Sequence, residues 1–267
     1  MTQKERAQPL PVRDVAEEVD LFNVRLSNLS FDELCHWIDA QVADRAAAYV
    51  VTPNIDHVCR LHRDDEFQEA YAGAGLRLVD SAPLMWCAKL FSRPLKEKLS
   101  GSDLVPRLSE YAAEKGYRVF LLGAAEGVAE EAARRLQSKY PGLQIAGCYS
   151  PPFGFEHDAA QNEAVCERVR QANADICFVA LGSPKQEVWL LHHAESMGVP
   201  AAFAVGAGVD FAAGRVRRAP VWMQRSGCEW LWRLMREPLR LWRRYLIEDS
   251  YFLVILLREI GRRPGRS

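Results

Sequence analysis

The chain has 267 residues, 49% of them hydrophobic, and a formal net charge of −1. That length suits one large α/β domain, or a domain with an appendage, built on a sizeable core. Its seven cysteines never fall as Cys-x-x-Cys and its six histidines show no metal spacing, so a zinc site and a disulfide framework are excluded. Reduced core thiols in a cytosolic protein are expected instead.

Residues 1–20 are polar and charged without an apolar stretch, and read as a disordered leader without a secretory signal. After Ser30 a capping box through Glu33 predicts a helix to about Asp44. A short apolar strand, Ala47 to Val51, ends at Thr52-Pro53-Asn54. A helical stretch runs through Tyr71, and the strand Leu76 to Val79 ends at Asp80. Arg118 to Leu122 reads as a strand ending at Gly123, before a helix from Val128 to Lys139. Then come the strand Gln144–Tyr149, the helix Asp158–Ala174, and the strand Asp175–Leu181 ending in Gly182-Ser183-Pro184. A helix to Met197 and the strand Ala201–Val205, ending in Gly206-Ala207-Gly208, complete the series. Strands alternating with helices imply a Rossmann-like, mainly parallel sheet with helices on both faces, spanning residues 21–214.

Residues 215–267 differ in character. They carry 13 arginines, no lysine and 5 acidic residues, against 21 basic and 30 acidic residues before them. Four of the seven tryptophans (Trp222, Trp230, Trp232 and Trp242) lie there too. On a helical wheel Arg233, Arg236, Arg240, Arg243 and Arg244 gather on one side. Leu231, Leu234, Met235, Leu239, Leu241, Trp242, Tyr245 and Leu246 share the other. Such a helix suits a lipid headgroup layer. The same pattern also describes a surface helix packed on its own core. Interleaved tryptophan and leucine favour a membrane over nucleic acid. Pro238 is expected to split the segment into two helices, and the apolar run Tyr251 to Leu257 is far short of the roughly twenty residues that span a bilayer.

In open parallel sheets ligands bind beyond the carboxyl ends of the strands. Here those ends carry Thr52, Asn54, Asp80, Gly123, Gly182 with Lys185 and Gln186, then Gly206, Gly208 and Asp210. Glycines admit close backbone approach, and helix starts after Gly123 and Pro184 offer amides to phosphate. Each feature also has a plain reading: a capped turn at Asn54, a helix cap at Asp80, solvated first-turn charges at Lys185 and Glu187, a turn aspartate at Asp210. Neither a Walker motif nor an Asp-x-Asp pair occurs, so no metal is expected. The residues alone lead to a nucleotide- or phosphate-binding α/β enzyme.

The motifs Thr52-Pro53-Asn54-Ile55-Asp56-His57, Val79-Asp80, Ser100-Gly101-Ser102-Asp103 and Leu181-Gly182-Ser183-Pro184-Lys185-Gln186-Glu187 occur in order. Val205-Gly206-Ala207-Gly208-Val209-Asp210, Arg218-Ala219-Pro220-Val221-Trp222 and Gly227-Cys228-Glu229-Trp230-Leu231 follow, then Arg233, Glu237-Pro238 and Trp242-Arg243-Arg244-Tyr245. From about Leu21 to Ile260 the chain resembles the WecG/TagA/CpsF glycosyltransferases (glycosyltransferase family 26). The resemblance implies inverting, metal-independent and cofactor-free transfer of a sugar from a UDP-sugar to a polyprenyl-diphosphate-linked acceptor. Surface or exopolysaccharide assembly at the cytoplasmic face of the membrane is the implied setting. It implies Asp80 as the catalytic carboxylate beside Thr52 and Asn54. It puts the nucleotide at Gln186, Asp210 and the Gly206–Gly208 turn, with Lys98, Lys185 and Arg233 as candidate diphosphate cations. Two departures stand out: Asp80-Ser81 replaces the common Asp-Gly, and Lys98 replaces the usual arginine, losing bidentate phosphate binding. The reading leaves room for a homo-oligomer and includes no nucleic acid. A Rossmann oxidoreductase and an inactive membrane-surface adaptor are the alternatives.

Overall fold

A computed structural model describes residues 17–220, 222–223 and 226–261 of the chain. Strands β1 (Glu17–Leu21) and β2 (Val24–Asn28) pair as an antiparallel hairpin. The first strand corrects the expected leader, whose last four residues are ordered by this pairing; residues 1–16 lie outside the described residues.

Six strands form one parallel sheet: β3 (Tyr49–Val51), β4 (Leu76–Arg77), β5 (Arg118–Gly123), β6 (Gln144–Tyr149), β7 (Ile176–Ala180) and β8 (Ala201–Ala204). Their spatial order is β4-β3-β8-β7-β5-β6. Period-two side chains divide the core. On β7, Cys177 and Val179 face one apolar layer while Ile176 and Phe178 face the other. The first layer is covered by α2 (Ile55–Leu61), α3 (Asp65–Ala72), α4 (Ala82–Leu90), α7 (Ala159–Gln171) and α8 (Lys185–Met197). The second is covered by α1 (Phe31–Asp44), α5 (Gly101–Lys115), α6 (Val128–Lys139) and α9 (Gly208–Ala212). The α1 capping box forms as read, Ser30 N donating to Glu33 Oε2 at 2.7 Å and Glu33 N to Ser30 Oγ at 3.3 Å. Cys35, Cys59, Cys166 and Cys177 are buried, whereas Cys87, Cys148 and Cys228 are only half-buried.

Three local readings change. The stretch expected as one helix to Tyr71 breaks into α2 and α3, because Asp64 caps a new start by accepting from Phe67 N at 3.0 Å. Helix α5, with Pro106 inside it, was not anticipated. Asp80 does not cap α4: the cap position is Ser81.

The topology creates one crevice. From β3 the chain turns to α2 on one face; from the adjacent β8 it turns to α9 on the other. The loops diverge and leave an opening above the carboxyl ends of both strands, the place such sheets bind ligands. Glycine permits the close packing underneath. A Cβ on Gly101 would meet the Val205 carbonyl oxygen at 2.7 Å, and one on Gly208 would meet that of Gly101 at 2.7 Å.

The arginine-rich segment is helical and, as Pro238 predicted, divided: α10 (Glu229–Arg236), α11 (Pro238–Arg243), a π-helical turn (Arg244–Glu248) and α12 (Tyr251–Gly261). It does not stand apart from the body. Ile255 is buried in the first apolar layer, Phe252 packs edge-on against Phe22 at 5.0 Å, and Arg63 stacks on Tyr251 at 3.7 Å. Arg218 ties the start of the segment to α5 through Asp103 at 2.6 Å. Arginines 225, 262, 263 and 266 lie outside the described residues.

Candidate active site

The crevice is a cavity of about 420 Å³, and its lining draws on nearly every expected strand end. Thr52 and Asn54 come from the end of β3, Asp80 from that of β4, Gln186 from the start of α8, and Gly206 and Gly208 from the turn after β8. A second cavity of about 260 Å³ adjoins it, lined by Asp210, Arg217, Trp232 and Arg236. Gly182, Gly206, Phe211, Glu229 and Arg233 line both, so these are two chambers joined at one ring.

Local hydrogen bonds fix the walls. Asn54 caps α2, its Oδ1 accepting from His57 N at 3.1 Å, which holds its side chain at the cavity edge. Capping and lining coexist here. Thr52 is buried and donates to the Ala204 carbonyl at 3.3 Å, so β3 and β8 stay in register beside the opening. Gln186 Oε1 accepts from Gly206 N at 3.1 Å while its Nε2 donates to Glu187 Oε1 at 2.8 Å. Glu187 is fully buried, not solvated as its place in a first helical turn suggested, and burial pushes its carboxyl up. It holds the Gln186 amide so that its oxygen faces the glycine turn.

Asp80 is the group whose chemistry the site alters most. Burial first, with the like charges of Glu229 and Asp103, raises its carboxyl from 3.8 to about 7, against the opposing pull of Lys98 and Arg233. A carboxyl poised near neutrality is suited to taking a proton. Lys98 lies at the cavity wall with Nζ 3.1 Å from Asp103 Oδ2. Asp103 also accepts from Ser100 Oγ at 2.5 Å and binds Arg218, and these partners hold it at about 2. Asp103 is thus a fixed anion bridging the appendage to the cation beside Asp80.

Two expected residues fall elsewhere. Lys185 lines neither chamber, because its Nζ pairs with Glu156 at 3.1 Å and sits 5.5 Å from the Phe153 ring. Gly123 also lines neither; a Cβ there would meet the Ala180 carbonyl oxygen at 2.6 Å, so this glycine serves sheet packing. In exchange the appendage supplies a roof. Glu229, Trp230 and Arg233 of α10 line the first chamber, with Tyr245 edge-on to Trp230 at 5.8 Å. The sequence reading anticipated only Arg233 of these, although Gly227-Cys228-Glu229-Trp230 lay inside a quoted motif. Among the described residues no group of three or more His, Cys, Asp or Glu side chains is arranged to hold a metal ion.

A sequence model of the WecG/TagA/CpsF glycosyl transferase family matches residues 19–266. The chain belongs to that family. Among its relatives, the Bacillus spizizenii N-acetylglucosaminyldiphosphoundecaprenol N-acetyl-β-D-mannosaminyltransferase is 32% identical over 79% of this chain and 80% of its own length. The Bacillus subtilis enzyme of the same name is 29% identical over 85% of each chain. A Staphylococcus aureus enzyme of that name is 25% identical over 86% of this chain and 89% of its own. The chain is a glycosyltransferase, which removes the oxidoreductase alternative.

The altered carboxyl has a consequence for stability. At pH values below about 3.8 Asp80 is protonated whether the chain is folded or unfolded, and it costs nothing. Between there and about 7 the unfolded chain is ionised while the folded one keeps its proton, so stability falls as pH rises. Asp80→Asn should therefore raise stability at pH 8, by a few kcal/mol at most given about 1.4 kcal/mol per pKa unit. At pH 4 the gain should vanish. Urea denaturation at both pH values checks this, and a variant equally or less stable at pH 8 would contradict the burial of an ionisable carboxyl.

Proposed function

We propose that this glycosyltransferase moves an N-acetylhexosamine from a UDP-sugar to a polyprenyl-diphosphate-linked N-acetylglucosamine. It does so with inversion and without a metal, in surface polysaccharide assembly at the inner face of the cytoplasmic membrane. The observation that carries the reading is one chamber holding a carboxyl raised to about 7 together with two cations, Lys98 and Arg233. The relatives' names supply the sugar and acceptor classes.

The chemistry assigns each group a task. The acceptor hydroxyl gives its proton to the Asp80 carboxylate as its oxygen attacks C1 of the donor sugar. The bond from C1 to the diphosphate breaks on the opposite side, and UDP leaves with the electron pair. An α-linked donor then yields the β product that the relatives' name describes. Charge growing on the departing diphosphate is met by Arg233 and Lys98, with Gly182 and Gly206 at the ring between chambers offering unobstructed backbone. The nucleoside occupies the second chamber against Asp210. Thr52 and Asn54 frame the acceptor side of Asp80.

The membrane part of the reading rests on what α10 and α11 leave uncovered. Met235 is 60% exposed and Leu239 93%, and Trp230, Leu231 and Trp242 are also exposed, alongside the exposed Arg236 and Arg243. Apolar groups beside cations suit the headgroup boundary. No described helix is long and apolar enough to cross a membrane.

Asp80→Asn should lower kcat by roughly a hundred- to ten-thousand-fold, with UDP affinity within about twofold of the parent. The parent's kcat/KM should fall on the acid side with an apparent pKa near 7. Steady-state rates with a short-chain prenyl-linked acceptor check both, and normal turnover of the variant would remove Asp80 as the base. Activity should persist in EDTA; a loss that magnesium or manganese restores would contradict metal-free transfer. Finally, Met235→Ser/Leu239→Ser/Trp242→Ser should release the protein from anionic vesicles in flotation while UDP binding stays intact, and high salt should weaken the parent's binding. Unchanged flotation of the triple variant would sink the membrane assignment.

A further inference from the structure

Ser81 follows Asp80 and lines the same chamber, yet its hydroxyl oxygen is buried without a hydrogen-bond partner. Its position makes that unusual. It stands at the cap of α4, where a serine side chain normally accepts from a first-turn amide, and here it makes no such bond. The helix start instead uses Pro83 in its first turn and the Ser81 carbonyl, which accepts from Met85 N at 3.3 Å. The Ser81 backbone is extended, with φ −127° and ψ 140°, so alanine or glycine fits there without strain. Nothing in the fold requires the hydroxyl, and leaving it unmade is costly.

An unpaired polar atom at a site wall calls for a partner that arrives with the ligand. Its place beside Asp80 decides which ligand. The sugar that meets Asp80 is the one whose hydroxyl loses its proton, and Ser81, the next residue, lines the same chamber. A serine hydroxyl both donates and accepts, and rotation about one bond turns it toward either. The donor's diphosphate, in contrast, is drawn toward the cations Lys98 and Arg233 at the ring between the chambers.

We infer that Ser81 is a specificity-determining residue for the acceptor sugar, its hydroxyl hydrogen-bonding the substituent next to the attacking hydroxyl. This rests on the reading of Asp80 as the base. Glycine or alanine at this position would leave that substituent unread.

The test uses short-chain prenyl-diphosphate N-acetylglucosamine and analogues each lacking one ring hydroxyl. Ser81→Ala should raise the acceptor KM about five- to tenfold, the worth of one neutral hydrogen bond. Donor KM and the acid limb of the pH profile should not move, and thermal stability should stay equal or rise. One deoxy analogue should cost the parent the same factor and cost Ser81→Ala nothing more. An unchanged acceptor KM, a melting temperature that drops in step with activity, or equal losses for every analogue in both proteins would each overturn the assignment. Acceptor affinity measured at equilibrium, in Asp80→Asn against Asp80→Asn/Ser81→Ala with UDP present, needs no turnover. A difference there upholds Ser81 even if Asp80 proves not to be the base, and equal affinities defeat it.

Discussion

Asp80 sits where water solvates it poorly, and the surrounding charges are arranged around that fact. Burial alone would leave its carboxyl protonated at neutral pH. Lys98 and Arg233 pull against burial, Glu229 and Asp103 push with it, and the balance falls near 7. Asp103 restrains one of the cations, gripping Lys98 on one carboxylate oxygen and Arg218 on the other. Because Glu229, Arg233 and Arg218 all belong to the C-terminal segment, the proton affinity of Asp80 depends on that segment being docked. An anionic diphosphate arriving between Lys98 and Arg233 would draw on the same cations and shift the balance again, toward a stronger base in the loaded enzyme.

The C-terminal segment therefore has two jobs that its composition blurred together. Helix α12 is part of the body: Phe252 and Ile255 complete the apolar layer over α2. Helix α10 is a roof, with Glu229 and Arg233 turned to the chambers and Met235 turned outward. An arginine-rich amphipathic helix can pack on a core or line a polar site, and this segment divides those two roles between successive helices. Trp230 of α10 both lines the larger chamber and is partly exposed, so the roof's outer apolar face begins at the site.

Legibility followed the strength of local physics. Strands with period-two or continuous apolar runs and helices with clear caps were read to within a residue or two, as for α6, β6 and the capping box of α1. The hairpin β1–β2 escaped because its charged, alternating sequence gains structure only by packing at a distance, Phe22 of its turn meeting Phe91 and Phe252. Helix α5 escaped because Pro106 and a glycine-serine start are weak helix signals; tertiary packing against α9 overrides both. At the site, residues on strand ends converged as topology required. Lys185 did not, since Glu156 lies in a short 3-10 turn whose approach to α8 has no local signal. The roof residues were hidden for the same reason: a tie that docks their segment, Arg218 to Asp103, joins residues 115 apart in sequence.

The most direct measurement is a structure of the full-length protein with an unreactive UDP-sugar bound. The account predicts uridine against Asp210, the diphosphate between Lys98 and Arg233 with α10 in place over it, and C1 of the sugar facing Asp80 across the larger chamber. A diphosphate held instead at Lys185 and the start of α8, with Asp80 remote from the sugar, would contradict it.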